Sequence, residues 1–157
     1  MRPISNIFIF IKTYTMDEVD YKFGEEHENS THQVLNDFFA CDFEKTDKYA
    51  TFDFTDEKEM VHIELKTRRN TKHQYPTTMM PYSKVRKGLV CVSKGYRVYF
   101  VFKFIDQLCY YELLEQNTNY IQKNRCGRKD RGKREYNDYY MIPITVLQNL
   151  TSCPDCI

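Results

Sequence analysis

Apolar residues in this chain recur in two rhythms, and the change from one to the other marks out its elements. Residues 4–11 form a largely apolar run that predicts a buried strand or, alternatively, the opening of a helix. Over residues 25–39, Val34, Leu35, Phe38 and Phe39 take helical spacing, and the acids at 25, 26 and 28 suit the positive end of a helix dipole. Strand patterning then takes over. Residues 49–54 and 60–67 predict two strands joined by a polar five-residue turn. Residues 68–78, with Arg68, Arg69, Lys72 and Pro76, predict a loop, and residues 81–86 a short helix opened by Pro81.

Two β-branched and aromatic runs, 89–93 and 97–105, flank Lys94-Gly95-Tyr96 and predict a second hairpin. Residues 109–114 and 139–144 add strands, the latter at a sheet edge or end because of Pro143. The polar, Asn-rich and basic stretch 117–135 predicts a mobile loop, residues 146–150 a short helix, and residues 151–157 a flexible tail. No repeat or linker divides the chain. The expectation is a single domain of mixed α/β class.

Composition narrows the function classes. With 157 residues, 41% hydrophobic and 15% aromatic, the chain can bury a core, and wholesale disorder is excluded. No apolar run approaches the ~18 residues of a membrane span. Residues 4–11 lack the pattern of an export signal and lead into acidic sequence, so an intracellular location is expected. Reduced thiols follow from that, with Cys41, Cys91 and Cys109 as core filler. Cys153-Pro-Asp-Cys156 has metal-knuckle spacing but supplies only two of the four ligands a zinc site needs.

A net charge of +1 hides a segregation. Six acids stand against one Lys over residues 17–28, and six bases against one Asp over residues 125–134. Such a distribution suits a protein that touches a polyanion along one edge.

The chemistry concentrates at the predicted central hairpin. Asp53 lies on the first strand, and Glu64 and Lys66 share a face of the second, where side chains alternate. Two carboxylates and an ammonium are what hydrolysis of a phosphodiester asks for. Hard divalent ions such as magnesium or manganese take oxygen ligands, and a nearby ammonium orients the water or holds the phosphate. Arg68, Arg69 and Lys72 follow directly and would stand at the rim of such a site. His62 shares the Glu64 face and reads as a partly buried structural residue.

Asp53-x(10)-Glu64-x-Lys66 resembles the signature of the PD-(D/E)XK nuclease superfamily, which includes restriction endonucleases and junction resolvases. Ile63-Glu-Leu-Lys-Thr-Arg68 has the usual hydrophobic-Glu-x-Lys-Thr cadence, and Gly24-x-x-x-Glu28 is similar to the family's first helical motif. The resemblance implies a restriction endonuclease-like core, a central mixed β-sheet flanked by α-helices. It implies Asp53, Glu64 and Lys66 as catalytic residues, and Asp53, Glu64 and Glu28 around Mg2+ or Mn2+. Substrate phosphates fall to Arg68, Arg69 and Lys84, and to Arg128, Lys129 and Arg131 of the basic stretch. DNA is the expected substrate ahead of RNA, endonuclease action ahead of exonuclease, and a homodimer would serve double-strand cutting. No Pro precedes Asp53, and Asp47 and Asp56 compete for its role, as Glu25 and Glu26 do for that of Glu28. The alternative is a non-catalytic nucleic-acid- or protein-binding module on the same fold.

Overall fold

The computed structural model describes residues 16–120, 122–128 and 135–150. In chain order they form helix α1 (Met16–Phe39) and strands β1 (Glu44–Lys45), β2 (Phe54–Asp56), β3 (Val61–Thr67) and β4 (Thr77–Pro81). Helix α2 (Tyr82–Ser93), β5 (Arg97–Lys103), β6 (Leu108–Glu112) and a 3-10 turn (Glu115–Tyr120) follow. The remainder is β7 (Gln122–Arg128), β8 (Glu135–Pro143), a second 3-10 turn (Ile144–Val146) and β9 (Gln148–Asn149).

The main sheet has the order β1-β2-β3-β5-β6-β9, and a smaller sheet the order β4-β8-β7. β3 and β5 are parallel, with Glu64 beside Phe100, while the other pairings of the main sheet are antiparallel. Parallel neighbours need a crossover, and here β4 and α2 provide it. A mixed sheet with helices packed against it is the restriction endonuclease-like architecture expected from the sequence.

Alternation along β3 sends successive side chains to opposite faces. Ile63 and Leu65 join Leu35 of α1, Phe54, Tyr99 and Val101 in one core. Val98, Phe100 and Phe102 pack on the other face with Met80, Val85 of α2, Leu113 and Ile142. β3 is thus covered on both sides, and Glu64 is carried into the interior with 1% of its surface exposed. α2 approaches the sheet closely at Gly88, where an added Cβ would lie 2.6 Å from Leu113 Cδ2 and 3.4 Å from Val98 Cγ1. Gly88→Val is therefore expected to destabilise the fold by about 2–3 kcal/mol through overpacking. Urea unfolding measures this, and an unchanged midpoint would show that the interface yields freely.

Several elements differ from the sequence expectations. The helix expected over 25–39 begins at Met16, so Glu25, Glu26 and Glu28 lie within it and not in its first turn. The strand expected over 49–54 begins at Phe54. Residues 89–93, expected as a strand, complete α2; a short apolar β-branched run does not distinguish a buried strand from a helix face. The Lys94-Gly95 hairpin turn is instead the end of that helix: Gly95 takes φ +94°, and its N–H donates to the Val92 carbonyl at 3.0 Å. The loop expected over 117–135 contains β7, whose ladder to β8 is made by backbone groups and so tolerates polar side chains. The expected helix over 146–150 is replaced by β9, which pairs with β6 at Cys109 and Tyr110. The strand expected over 4–11, Lys129, Arg131, and the Cys153 and Cys156 pair lie outside the described residues.

Candidate active site

β3 delivers Glu64 and Lys66 to one face, and the turn before β2 brings Asp53 alongside. Asp53 N–H donates to the Ile63 carbonyl at 3.0 Å, while its Oδ2 accepts from Leu65 N–H at 2.8 Å. Backbone on both sides thereby fixes the carboxylate. Glu64 is held at both oxygens, by Lys66 Nζ on Oε1 at 2.5 Å and by Lys84 Nζ on Oε2 at 3.0 Å. Lys84 also donates to the Thr51 carbonyl, tying α2 to the segment that leads into Asp53. A buried carboxylate needs such partners, because an unpaired charge in the interior is costly.

Beside these residues lies a cleft of about 430 Å³, lined among others by Glu28, Asp53, Lys66, Thr67, Arg68 and Arg69. Glu28, on α1, is half-buried and pairs with Lys45 at 3.4 Å. Burial raises the proton affinity of its carboxyl, with a further push from Glu64. Asp53 is affected more strongly. Burial first, and the neighbouring Glu64 second, push its pKa up to about 7, against the lowering effects of Leu65 N–H and Lys66. Carboxyls whose proton affinity is raised by burial and by neighbouring carboxylates mark a site with an excess of negative potential. The Thr67 hydroxyl, in the same cleft, is buried with no hydrogen-bond partner.

The competing aspartates have other tasks. Asp56 accepts from Asp42 N–H at 2.9 Å and Glu59 N–H at 3.0 Å; these backbone donors hold its carboxyl below the usual range and close the hairpin turn. Asp47 accepts from Tyr49 N–H at 3.0 Å on an exposed turn. Neither lines the cleft.

Among the basic residues, Arg68 is half-buried. Its guanidinium donates to Thr78 Oγ1 at 3.2 Å and to the Met79 carbonyl, and packs 5.8 Å from the Phe102 ring centroid. Arg69 is exposed, lies 4.4 Å from the Phe23 ring centroid and pairs with Asp20 at 3.4 Å. Arg128 ends β7 opposite Glu135. His62 is stacked between Phe52 and Tyr96, at 5.0 and 4.5 Å, and so belongs to the packing beside the site. Sequence reasoning did not single out Thr51, Tyr21 or Phe23. A backbone carbonyl carries no sequence signal, and aromatic residues near a helix start read as core.

Residues 20–149 match a family described as "Phage putative PDDEXK endonuclease". The chain belongs to this PD-(D/E)XK nuclease family. No curated protein and no solved structure gives a match. Family membership makes the chain a nuclease with a nucleic-acid substrate, and it spans every element that builds the cleft from Asp20 to Arg69.

PD-(D/E)XK nucleases generally use divalent metals, and the donors can be tested for that chemistry. Among the described residues, no three His, Cys, Asp or Glu side chains converge closely enough to form a cage. Asp53 and Glu64 nonetheless offer oxygen donors that repel one another, with Glu28 contributing to the same field. That set fits a hard cation held by one or two carboxylates and completed by water and phosphate.

Proposed function

We propose that this nuclease is a divalent-metal-dependent endonuclease acting on DNA, with Asp53, Glu64 and Lys66 at its reaction centre. The observation that carries the reading is the buried Glu64, clamped by two ammonium groups, next to an Asp53 whose carboxylate is fixed by Leu65 N–H. A bound Mg2+ or Mn2+ would supply charge neutralisation at the phosphate and a water acidic enough to attack at neutral pH. Asp53 and Glu64 would hold the ion, with Glu28 completing its surroundings from α1.

The chain's own groups have defined tasks. Asp53 would have to be ionised to serve as a ligand, so binding of the ion would be coupled to proton release. Lys84 holds Glu64 in one rotamer and ties it to the Thr51 carbonyl. Lys66, on the cleft side of Glu64, orients the attacking water and offsets charge growing on the phosphorane-like transition state. Arg68 and Arg69 bind the flanking phosphates, assisted by the basic residues Arg128, Lys129 and Arg131. Cutting both strands would call on a second copy of the chain.

Incubation with supercoiled plasmid in Mg2+ or Mn2+ tests this. Nicked or linear products are expected from the wild type, none in EDTA, and none from Lys66→Ala or Asp53→Ala. A parallel RNA substrate reads the nucleic-acid preference. A protein that shifts labelled DNA yet never cuts it with any divalent ion would instead be a binding module.

A further inference from the structure

One exposed aromatic ring lines the cleft and a second stands beside it across a shared lysine, where a purely phosphate-binding rim would need only cations. Tyr49 is 90% exposed and Tyr21 44% exposed. Single exposed apolar residues are ordinary on protein surfaces. These two are linked. Lys48 Nζ lies 4.7 Å from the Tyr21 ring centroid and 5.8 Å from that of Tyr49, so one ammonium spans both rings. Tyr21 lines the cleft that Asp53 and Lys66 share.

The backbone that carries the ring on the other segment is held in a turn. Asp47 closes the turn below Tyr49 by accepting its N–H at 3.0 Å, and Ala50 N–H donates to the Asp47 carbonyl at 3.2 Å. The next residue, Thr51, is bonded to Lys84, which holds Glu64. Tyr49 is therefore tied through a short run of backbone to the reaction centre. Further along the cleft, Arg69 lies over Phe23 and is held in place by Asp20. Aromatic faces and cations thus alternate along the rim.

Bases within a duplex are already stacked and present only their edges, whereas unpaired bases present free π faces. Alternating rings and cations suit a strand whose bases stack while its phosphates pair with ammonium and guanidinium groups. We propose that the rim of Tyr21, Lys48 and Tyr49 stacks unpaired bases, so that the substrate taken at this cleft contains a single-stranded segment. The proposal rests on the nuclease reading in taking the cleft beside Asp53 as the path of the nucleic acid.

Binding measured apart from turnover tests it. Anisotropy of labelled oligonucleotides is followed with the full chain in EDTA and in an Asp53→Asn background, using a single strand, the matching blunt duplex, and a duplex with a single-stranded overhang. The single strand and the overhang are expected to bind more tightly than the blunt duplex. Tyr21→Ala and Tyr49→Ala should each weaken single-strand binding about tenfold and duplex binding less than about twofold. Tyr21→Phe and Tyr49→Phe should retain it, because the ring face does the stacking; both positions are exposed, and a thermal melt checks that the variants fold. Blunt duplex bound as tightly as single strand, equal losses on both probes, or Phe variants as weak as Ala would each overturn the stacking rim. Absence of cleavage by the wild type would sink the nuclease reading while leaving this binding result to stand or fall by itself.

Discussion

Glu64→Gln is expected to lower cleavage by on the order of a thousandfold or more, because it removes a full charge from the reaction centre while keeping the side chain's shape. It should also cost stability. Glu64 is 1% exposed and stands between two ammonium groups, at 2.5 Å from Lys66 and 3.0 Å from Lys84. Removing one partner of a buried ion pair typically costs ~3–5 kcal/mol, since the remaining charge is left uncompensated. Lys66 and Lys84 keep 28% and 23% of their side-chain surface exposed, so hydration recovers part of that, and about 2 kcal/mol is expected. A compensating change separates the two effects. Glu64→Gln combined with Lys84→Met should regain most of the lost stability in urea unfolding and none of the cleavage. Full activity in Glu64→Gln would remove this carboxylate from the mechanism.

The second large effect is a pH dependence centred on Asp53. Its carboxyl is pushed from the ordinary 3.8 up to about 7. Between about pH 4 and 7 the folded state therefore binds this proton more tightly than the unfolded chain does. By linkage, stability contributed by the protonated group is present at low pH, is lost as pH rises through that window, and changes no further above about 7. The size is a few kcal/mol at most, since a pKa unit corresponds to ~1.4 kcal/mol and partial solvent access reduces the shift's effect. Melting followed across this window in EDTA should show the decline, and Asp53→Asn should flatten it. Mg2+ or Mn2+ should raise the melting temperature most at the alkaline end, where the carboxylate is free to take a cation. An equal slope in Asp53→Asn would mean that another group titrates.

How far the site was legible in the sequence follows from what each residue depends on. Glu64 and Lys66 were readable because strand alternation is local: two residues apart on a strand means one face in any fold. Placing Asp53 near them required only a hairpin. The choice of Asp53 over Asp47 and Asp56 rests in the sequence only on spacing and on the family resemblance. All three flank a strand or turn, and in the structure the choice rests on which carboxylate reaches Leu65 N–H across the turn. Lys84 shows the same limit. Its sequence position marks it as a cation on a helix, but its contact with Glu64 exists only because the crossover sets α2 against β3. Glu28 was read at a helix start, where a dipole would explain its charge. The helix in fact begins twelve residues earlier, and Glu28 faces the cleft from its middle.

Elements misread along the chain share a cause. Residues 89–93 are apolar and β-branched, which suits a buried strand, yet the close approach of Gly88 to Leu113 and Val98 makes that face of α2 part of the core. β9 is two residues long and exists because β6 offers an open edge, a fact unknown to residues 148 and 149 themselves.

The sequence by itself determined the mixed α/β class, the strand that bears Glu64 and Lys66, and the family signature around them. All of these depend on local periodicity and spacing. Only the tertiary structure decided which aspartate lines the cleft, that Lys84 bridges the buried Glu64 and the Thr51 carbonyl, and that Tyr21 and Tyr49 meet around Lys48. Those are contacts between segments distant in the chain, set by how the sheet and helices pack.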